Sequence, residues 1–277
     1  DKEFIAGQYE LSPAIGMKEI IKKITGGEVY SDTEWFTIPE GFTVKQMADL
    51  LSAQKLVDSR RFLEIASNPP ENLIEQFPFI KAAACDDCRY VLEGYLFPDT
   101  YRISRGASEE EIISLMLGRM SQIIDQRFEQ RARELGMTTH QVITLASIVE
   151  KEAVVADERK RIASVFFNRL AENYLLQSCA TVQFILGEVK PVLSIKDTLI
   201  ESPYNTYLNP GLPPGPISAP GESSIEAVLH PEQSDYYYFV SKNDGSGEHY
   251  FSRTLQEHNQ NIARAEQNKA RNLTSGQ

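Results

Sequence analysis

The stretch that most constrains the fold is Thr138–Ala156, TTHQVITLASIVEKEAVVA. Thr138, followed three residues later by Gln141, forms a capping-box pattern, which is typical of the start of an α-helix. Apolar residues then recur at helical spacing and leave only a narrow polar face: the apolar positions are Val142, Leu145, Ala146, Val149, Ala153 and Ala156, and the polar ones are Thr144, Ser147 and Lys151. A helix with so little polar surface is expected at the centre of the fold.

Two glutamates, Glu150 and Glu152, lie on opposite flanks of this helix. The residues one turn away from Glu152 are all apolar, whereas those around Glu150 are smaller and include Ser147. Apolar surroundings desolvate a carboxyl group and raise its pKa, which suits a general acid that works near neutral pH. Of the two glutamates, Glu152 is therefore the better candidate for a catalytic acid. The competing interpretation is that either glutamate pairs with an Arg or Lys distant in sequence.

The charge balance limits the partners of the chain. Its 277 residues carry a formal net charge of −11, which argues against nucleic acid or an anionic membrane surface as the main partner. An uncharged or mixed-charge polymer is compatible with this charge. No run of about 18 apolar residues occurs, so no transmembrane helix is predicted. Because the sequence begins at Asp1 without a signal-peptide pattern, we expect a trimmed extracytoplasmic domain whose membrane anchor, if any, lies upstream.

Three cysteines are too few for a disulfide scaffold. Cys85 and Cys88 form a C-x-x-C pair in a loop-like segment, and Cys179 is alone. A zinc site needs about four ligands, and a redox motif would follow a strand and open a helix; neither pattern is present here. The interpretation is a local disulfide or two unreactive thiols, with no metal and no cofactor.

Residues 1–66 predict a small α/β region. It contains two strand–turn–helix units and a third helix: strands Gln8–Leu11 and Trp35–Ile38, helices Met17–Ile24 and Val44–Gln54, and helix Arg60–Ala66. Asn68-Pro69-Pro70 interrupts both helix and strand, so residues 67–89 are predicted to be a linker. The N-terminal region is interpreted either as a binding module or as a spacer.

Residues 90–277 predict a mainly α domain, which makes the whole chain α+β. The expected elements are one long helix from Glu109 to Leu135, the helix at Thr138–Ala156, a helix at Asp157–Asn173, a short helix after Gln177, a helix from Ser223 to His230, a hairpin of Tyr236–Val240 with His249–Phe251, and a terminal helix from Thr254.

Two segments of this domain combine aromatic and polar residues. Leu92–Ile103 interleaves tyrosines with Glu93 and Asp99, as in a sugar-binding groove or an ordinary strand edge. Ser202–Gly221 contains six prolines and three glycines, which exclude regular structure, yet it carries three further groove candidates, namely Tyr204, Asn205 and Tyr207. We expect this loop to be ordered and to face Glu152. The alternative is that its tyrosines fasten the loop onto the helical core.

Five motifs in order resemble one known family, the endolytic murein transglycosylases, also called MltG or YceG-like. They are EGYLFPDTY (Glu93–Tyr101), LASIVEKEA (Leu145–Ala153), VFFNRL (Val165–Leu170), SPYNTY (Ser202–Tyr207) and GLPPGPISAPG (Gly211–Gly221). The resemblance covers roughly residues 90 to 262. Residues 1–66 resemble, more weakly, the LysM-like subdomain of that family.

The resemblance implies a catalytic role for Glu152, the second glutamate of the E-K-E motif. The implied groove residues are Glu93, Tyr95, Asp99, Gln177, Tyr204, Asn205 and Tyr207. The chain departs from the family at Cys179-Ala180, where Asp-Pro is usual, so no acidic role is assigned there. The family works outside the cell membrane from a single upstream anchor, on peptidoglycan strands, and penicillin-binding proteins are implied as further partners.

The implied reaction cuts the β-1,4 bond between N-acetylmuramic acid and N-acetylglucosamine without water and leaves a 1,6-anhydro end. Two alternatives stay open at this point. A hydrolysing muramidase would need a second carboxylate to activate water, and Glu93 or Asp99 could serve. A non-catalytic cell-wall-binding scaffold would make Glu152 structural.

Overall fold

The computed structural model describes residues 4, 6, 9, 11–26, 33–83 and 87–275. Within these ranges helices are combined with short antiparallel sheets, so the predicted α+β class is confirmed. Half of the predicted strand Gln8–Leu11 falls outside the described residues, and its described residues, Tyr9 and Leu11, are not in a strand; Cys85 also lies outside the described residues. No helix in the described ranges is long and apolar enough to cross a membrane.

The N-terminal part of the chain forms short elements. In order they are α1 (Met17–Gly26), β1 (Thr33–Thr37), α2 (Val44–Ala53), α3 (Ser59–Ser67), α4 (Glu71–Gln76), a 3-10 turn at Pro78–Ala82, and β2 (Thr100–Ser104). The α2 helix begins with a capping box of Thr43 and Gln46. The α3 helix is capped by Asp58, whose side chain accepts a hydrogen bond from the backbone N–H of Arg61.

Longer helices and one hairpin follow. They are α5 (Glu109–Ile123), α6 (Gln126–Glu134), α7 (Thr139–Glu152), a 3-10 turn at Ala156–Glu158, α8 (Arg159–Ala171), α9 (Cys179–Leu186), α10 (Ile195–Thr198), α11 (Glu222–Leu229), β3 (Tyr238–Ser241), β4 (His249–Ser252) and α12 (Leu255–Ser275). The predicted hairpin is confirmed, with Tyr238 opposite Ser252 and Ser241 opposite His249.

One predicted helix is two helices in the structure. Sequence periodicity indicated a single helix from Glu109 to Leu135, but α5 ends at Ile123 and α6 starts at Gln126. The interruption is at Asp125, whose carboxylate accepts hydrogen bonds from the backbone N–H groups of Arg127 and Phe128, both at 2.9 Å. A side chain that caps a new helix competes with continuation of the previous one, and apolar periodicity does not register this competition.

The strand pairing crosses the predicted division between the N-terminal region and the rest. Strand β1 pairs antiparallel with β2, so that Thr33 lies opposite Ser104 and Thr37 opposite Thr100. Residues 67–89, predicted as a linker, contain α4 and a 3-10 turn. The described N-terminal elements are therefore joined to the later chain by a sheet as well as by the backbone.

Helix α7 is buried on all sides along most of its length. The capping box of Thr138 and Gln141 is confirmed, and the helix ends at Glu152, earlier than predicted. The predicted polar face is wrong in one respect: Thr144 and Ser147 are 1% and 0% exposed and do not reach solvent. The hydroxyl of Ser147 instead donates to the carbonyl of Thr144 and accepts from the backbone N–H of Ile217 at 3.0 Å.

The segment 202–221 covers this side of α7. It has no regular structure, and residues 215–221 are buried. Its Ala219 exchanges backbone hydrogen bonds with the N-terminal part, accepting from the N–H of Gly41 and donating to the carbonyl of Phe42, both at 2.8 Å. The segment thus lies between α7 and the residues that precede α2, and it satisfies polar backbone groups on both.

A close approach between two motifs requires glycine at position 94. Gly94 has φ +80°, and a Cβ added there would lie 2.4 Å from the Cβ of Pro216. The EGYLFPDTY motif and the GLPPGPISAPG motif therefore pack in direct contact, and a side chain at this point would force them apart.

We predict that Gly94→Ala destabilises the protein by about 2–5 kcal/mol, the sum of a left-handed backbone and an overpacked contact. Urea unfolding followed by circular dichroism measures the loss. The matched control is Gly106→Ala, because Gly106 has φ +76° but open space around it. The control should lose only about 1–2 kcal/mol. Equal losses in the two variants would contradict the packing argument.

Candidate active site

The carboxyl group of Glu152 lies at the junction of two helices. Glu152 is the last residue of α7, and its Oε1 accepts a hydrogen bond from the hydroxyl of Ser178 at 2.5 Å. The backbone N–H of Ala180 also donates to this carboxyl. Ser178 is the N-cap of α9 but makes no capping bond within its own helix. The partly positive start of α9 is therefore directed at Glu152.

Burial has the largest effect on the pKa of the Glu152 carboxyl group. Loss of hydration raises the pKa of this carboxyl, and the Ser178 hydroxyl, the electrostatic attraction of His249 and the Ala180 N–H partly oppose the increase. The net pKa lies above the usual value of a glutamate, in the direction expected from its apolar sequence neighbours. Such a group holds its proton to higher pH and still has donors in place that stabilise its ionised form.

Glu150 has a different environment, two residues away on the same helix. Its Oε2 accepts hydrogen bonds from the backbone N–H of Gly221 at 3.1 Å and from the hydroxyl of Ser224 at 2.7 Å. These donors belong to the first turn of α11 and the residue before it, so Glu150 caps that helix from outside. The two glutamates of the E-K-E motif are therefore separated by geometry: Glu150 holds a helix terminus, and Glu152 faces the start of α9.

Two further side chains lie beside Glu152. The hydroxyl of Tyr207 and the thiol of Cys179 are 3.1 Å apart. Burial is the main cause that raises the pKa of each, and the nearby Glu152 carboxyl raises both further. Tyr207 is half-buried, so its hydroxyl stays in its neutral, hydrogen-bonding form at any physiological pH.

The loop 202–221 positions the residues before α9. The backbone N–H of Gln177 donates to the carbonyl of Thr206 at 3.0 Å, and the N–H of Ser178 donates to the Thr206 hydroxyl at 3.1 Å. Gln177 has φ +50° and an exposed side chain. The structure thus brings together three of the predicted site residues, Glu152, Gln177 and Tyr207.

His249 and Glu158 form a buried pair near Glu152 that the sequence did not indicate. His249 on β4 lies 2.7 Å through its Nδ1 from Oε2 of Glu158, and the same carboxylate accepts from the His249 backbone N–H. His249 is near enough to Glu152 to lower its pKa electrostatically. Only the folding of the hairpin against the start of α8 brings His249 here, so no sequence pattern could have identified it.

The prediction for Asn205 needs correction. Its side chain is 0% exposed, and its amide group donates to the carbonyls of Thr198 and Ile200 at 3.1 and 2.7 Å. Its Oδ1 accepts from the backbone N–H of Tyr207 at 2.9 Å. Asn205 therefore braces the loop and positions Tyr207, and it presents no group to a bound glycan.

Two predicted tyrosines also belong to the core. Tyr204 is buried with its ring 5.0 Å from that of Phe184, and Tyr95 is buried with its hydroxyl 2.8 Å from Nδ1 of His140. His140 in turn contacts the carbonyl of Pro214 at 2.7 Å. For Tyr204 the alternative interpretation applies, because its buried ring packs the loop against α9. Tyr95 lies outside the loop and outside β2, and its buried side chain contacts α7 through His140.

The two other predicted acids, Glu93 and Asp99, are bound to other parts of the protein. Both oxygens of Glu93 accept from the backbone N–H of Val44 at the start of α2, at 3.0 and 3.3 Å, and burial raises the pKa of Glu93 to about 8. Asp99 forms an ion pair with Arg119 at 2.8 Å, and that hydrogen bond lowers the pKa of Asp99.

The cysteines and acids form no recognisable metal centre. In the ranges that the structure describes, no group of three or more His, Cys, Asp or Glu residues could hold a metal ion. Cys88 is disulfide-bonded, and Cys179 is a free cysteine whose sulfur is partly desolvated although the residue as a whole is exposed.

Comparison with known proteins shows the same family over nearly the whole chain. The YceG-like family matches residues 1–264. The endolytic murein transglycosylase of Bacillus subtilis (strain 168) is 36% identical over 263 residues, covering 92% of this chain and 71% of that protein. The endolytic murein transglycosylase of Streptococcus pneumoniae serotype 2 is 32% identical over 281 residues, covering 93% of this chain and 50% of that protein.

A solved structure agrees with these sequence matches. The crystal structure of a putative YceG-like protein from Listeria monocytogenes is 40% identical, with a TM-score of 0.77, and the match covers 93% of this chain and 84% of that one. The resemblance carried by the five ordered motifs is thereby confirmed. The chain belongs to the YceG-like family.

Proposed function

We propose that this chain is a lytic transglycosylase that cuts the β-1,4 bond between N-acetylmuramic acid and N-acetylglucosamine inside peptidoglycan strands. One observation carries the proposal: Glu152 is a carboxyl with a raised pKa that also has donors in place to stabilise its ionised form. The two curated relatives named above are endolytic murein transglycosylases, which supports the same substrate class.

Glu152 acts first as an acid. It gives its proton to the glycosidic oxygen, and the electron pair of the C1–O bond leaves with that oxygen. The muramyl ring then carries positive charge at C1, next to the Glu152 carboxylate. General acid–base catalysis of this kind contributes roughly 10²–10⁴-fold to the rate, about 3–5 kcal/mol of barrier.

Glu152 then acts as a base. Its carboxylate takes the proton of the muramyl C6 hydroxyl, and the C6 oxygen bonds to C1, which closes the 1,6-anhydro ring and regenerates the acid. The Ser178 hydroxyl and the Ala180 N–H stabilise the carboxylate between the two steps. The neutral hydroxyl of Tyr207 is available as a hydrogen-bonding group beside the reacting sugar.

A hydrolysing mechanism is the second candidate, and the contacts of the acids weigh against it. It would need a carboxylate that holds a water molecule across the groove from Glu152. Glu93 is bound to the start of α2 and Asp99 to Arg119. Glu158 is bound to His249. Each of these acids already accepts hydrogen bonds from the protein.

The proposal extends to the setting of the enzyme. The substrate lies outside the cell membrane, so the chain would act there on nascent strands, beside penicillin-binding proteins. The LysM-like interpretation of residues 1–66 adds glycan binding by the region that contains β1, α2 and α3. An upstream membrane anchor is part of the same proposal.

We predict that Glu152→Gln reduces cleavage of peptidoglycan strands by at least about 10²-fold, because glutamine is similar in shape but donates no acidic proton. Because folding raises the pKa of Glu152, this group lowers the free energy of unfolding of the wild type as pH rises through that pKa. Glutamine does not ionise and has no such effect. The variant should therefore melt at the same or a higher temperature at pH 7.

The control for this variant is Glu150→Gln. It should keep most of the activity and lose about 1 kcal/mol or less of stability, since only a charge at a helix N-terminus is removed. Release of soluble muropeptides and differential scanning calorimetry measure the two properties. Turnover at the wild-type rate by a folded Glu152→Gln protein would refute the assignment.

We predict that digested strands end in 1,6-anhydro-muramyl residues, which are lighter by one water than the reducing ends left by hydrolysis. Mass spectrometry of the digest, without prior reduction, distinguishes the two products. Reducing ends would establish the hydrolysing alternative.

We predict that Ser178→Ala moves the high-pH limb of the activity profile to higher pH. Activity requires protonated Glu152 and falls as pH rises through its pKa. Removing the hydroxyl that favours the ionised form raises this pKa further. The profile of kcat/KM against pH gives the limb directly. Ser67→Ala is the control, because the Ser67 hydroxyl bonds only the Leu63 carbonyl on α3, and its profile should coincide with that of the wild type.

A further inference from the structure

A second concavity adjoins the candidate active site. It is a cleft of about 180 Å³ between the start of α2 and the outer side of α9, lined among others by Lys45, Arg89, Lys151, Glu93, Phe184 and Ile217. Ala180 also lines it, and the N–H of the same residue donates to the Glu152 carboxyl. Lys151 immediately precedes Glu152. The cleft and the candidate active site therefore share a wall.

The charges of the cleft are complementary to an anionic ligand. Lys45 is neutralised by Asp49 at 2.8 Å, but Arg89 and Lys151 have no carboxylate within 4 Å in the part of the chain that the structure describes. The ammonium of Lys151 donates to the backbone carbonyl of Gly41 at 3.2 Å and has capacity for further acceptors. In a chain with a net charge of −11, two unpaired cations that converge on one cleft favour a carboxylate.

The two other acids of the cleft are Glu188 and Glu93: Glu188 is paired with Lys190 at 3.6 Å, and Glu93 is buried. Burial raises the pKa of Glu93 to about 8, with the Val44 N–H and the charge of Arg89 opposing the increase only in part. Glu93 is therefore mostly neutral at pH 7. The remaining surface includes the apolar side chains of Phe184 and Ile217, which suit short aliphatic groups.

The volume indicates what the cleft can hold. Pockets that enclose a drug-sized ligand measure roughly 300–1,000 Å³, so a cleft of about 180 Å³ accommodates one or two amino-acid residues and not a disaccharide. A ligand with carboxylates and small aliphatic side chains matches a short acidic peptide. Peptidoglycan carries such a peptide on the lactyl group at C3 of each muramyl residue, two ring carbons from the C1 that loses its bond.

We propose that this cleft binds the peptide stem of the muramyl residue held at Glu152, with Arg89 and Lys151 as the groups that pair with its carboxylates. This inference depends on the proposed function for its substrate. In this role the cleft is a specificity site that selects strands with intact peptides over strands from which the peptides have been removed.

Two substrates and two variants test the inference. Uncrosslinked glycan strands are used either with their peptides or after complete removal of the peptides by an amidase. Arg89→Gln should lower kcat/KM about tenfold on peptide-bearing strands, the loss expected for one charge-assisted contact, and less than twofold on stripped strands. Arg133→Gln, at an exposed position of α6, is the matched control and should leave both values unchanged.

A binding measurement separates this inference from the proposed function. In the Glu152→Gln protein, strands with peptides should bind more tightly than stripped strands, and adding Arg89→Gln should abolish the difference. If Arg89→Gln lowered kcat/KM equally on both substrates, or on neither, the proposed role of the cleft would be wrong, although the wild type would still cleave strands. Failure of the wild type to cleave either substrate would instead refute the proposed function, and the binding comparison would still decide the role of the cleft.

Discussion

The structure depends on how helix α7 is covered. A helix buried on every side needs partners that satisfy its polar atoms as well as its apolar ones, and the loop 202–221 provides them. The backbone N–H of Ile217 donates to the Ser147 hydroxyl, and the Ser218 hydroxyl donates to the Ser147 carbonyl at 3.3 Å. An irregular segment suits this task because few of its backbone groups are used by its own secondary structure, whereas the interior of a helix uses its backbone groups itself.

The same loop also builds the candidate site. Thr206 holds the backbone of Gln177 and Ser178, and Asn205 holds the N–H of Tyr207. Because Ser178 carries the hydroxyl that bonds Glu152, a shift of the loop would move both the tyrosine and the serine relative to the acid. The loop therefore couples the packing of the central helix to the geometry around the Glu152 carboxyl group. Its buried asparagine contributes to this geometry by holding the backbone of Tyr207.

Glu150 and Glu152 are only two residues apart, but their carboxyl groups have different properties because their surroundings differ. Glu150 accepts from the backbone and side chain at the start of α11, and Glu152 accepts from the start of α9. Both lie at helix N-termini, which stabilise negative charge. Burial outweighs that stabilisation at Glu152 and raises its pKa, so it can be an acid at a pH where ordinary glutamates are ionised.

Local sequence patterns predict most of the helices and identify the acid candidate. The capping box at Thr138 and apolar periodicity are such patterns, since they depend on residues within one or two turns. Five ordered motifs identified the family. The apolar neighbours of Glu152 indicate the direction of its pKa shift correctly, although only those before it lie on α7, which ends at Glu152.

Contacts between distant parts of the chain determine which of the predicted site residues lie beside Glu152. Asn205, Tyr204 and Tyr95 share motifs with groove residues, but each is buried by partners distant in sequence. His249 reaches the site only because the hairpin packs near α8, and β1 crosses a predicted boundary to pair with β2. The physical reason is the same in each case. The composition of a segment fixes what its side chains can do, but contacts between residues far apart in the chain determine which of them are left free to meet a substrate.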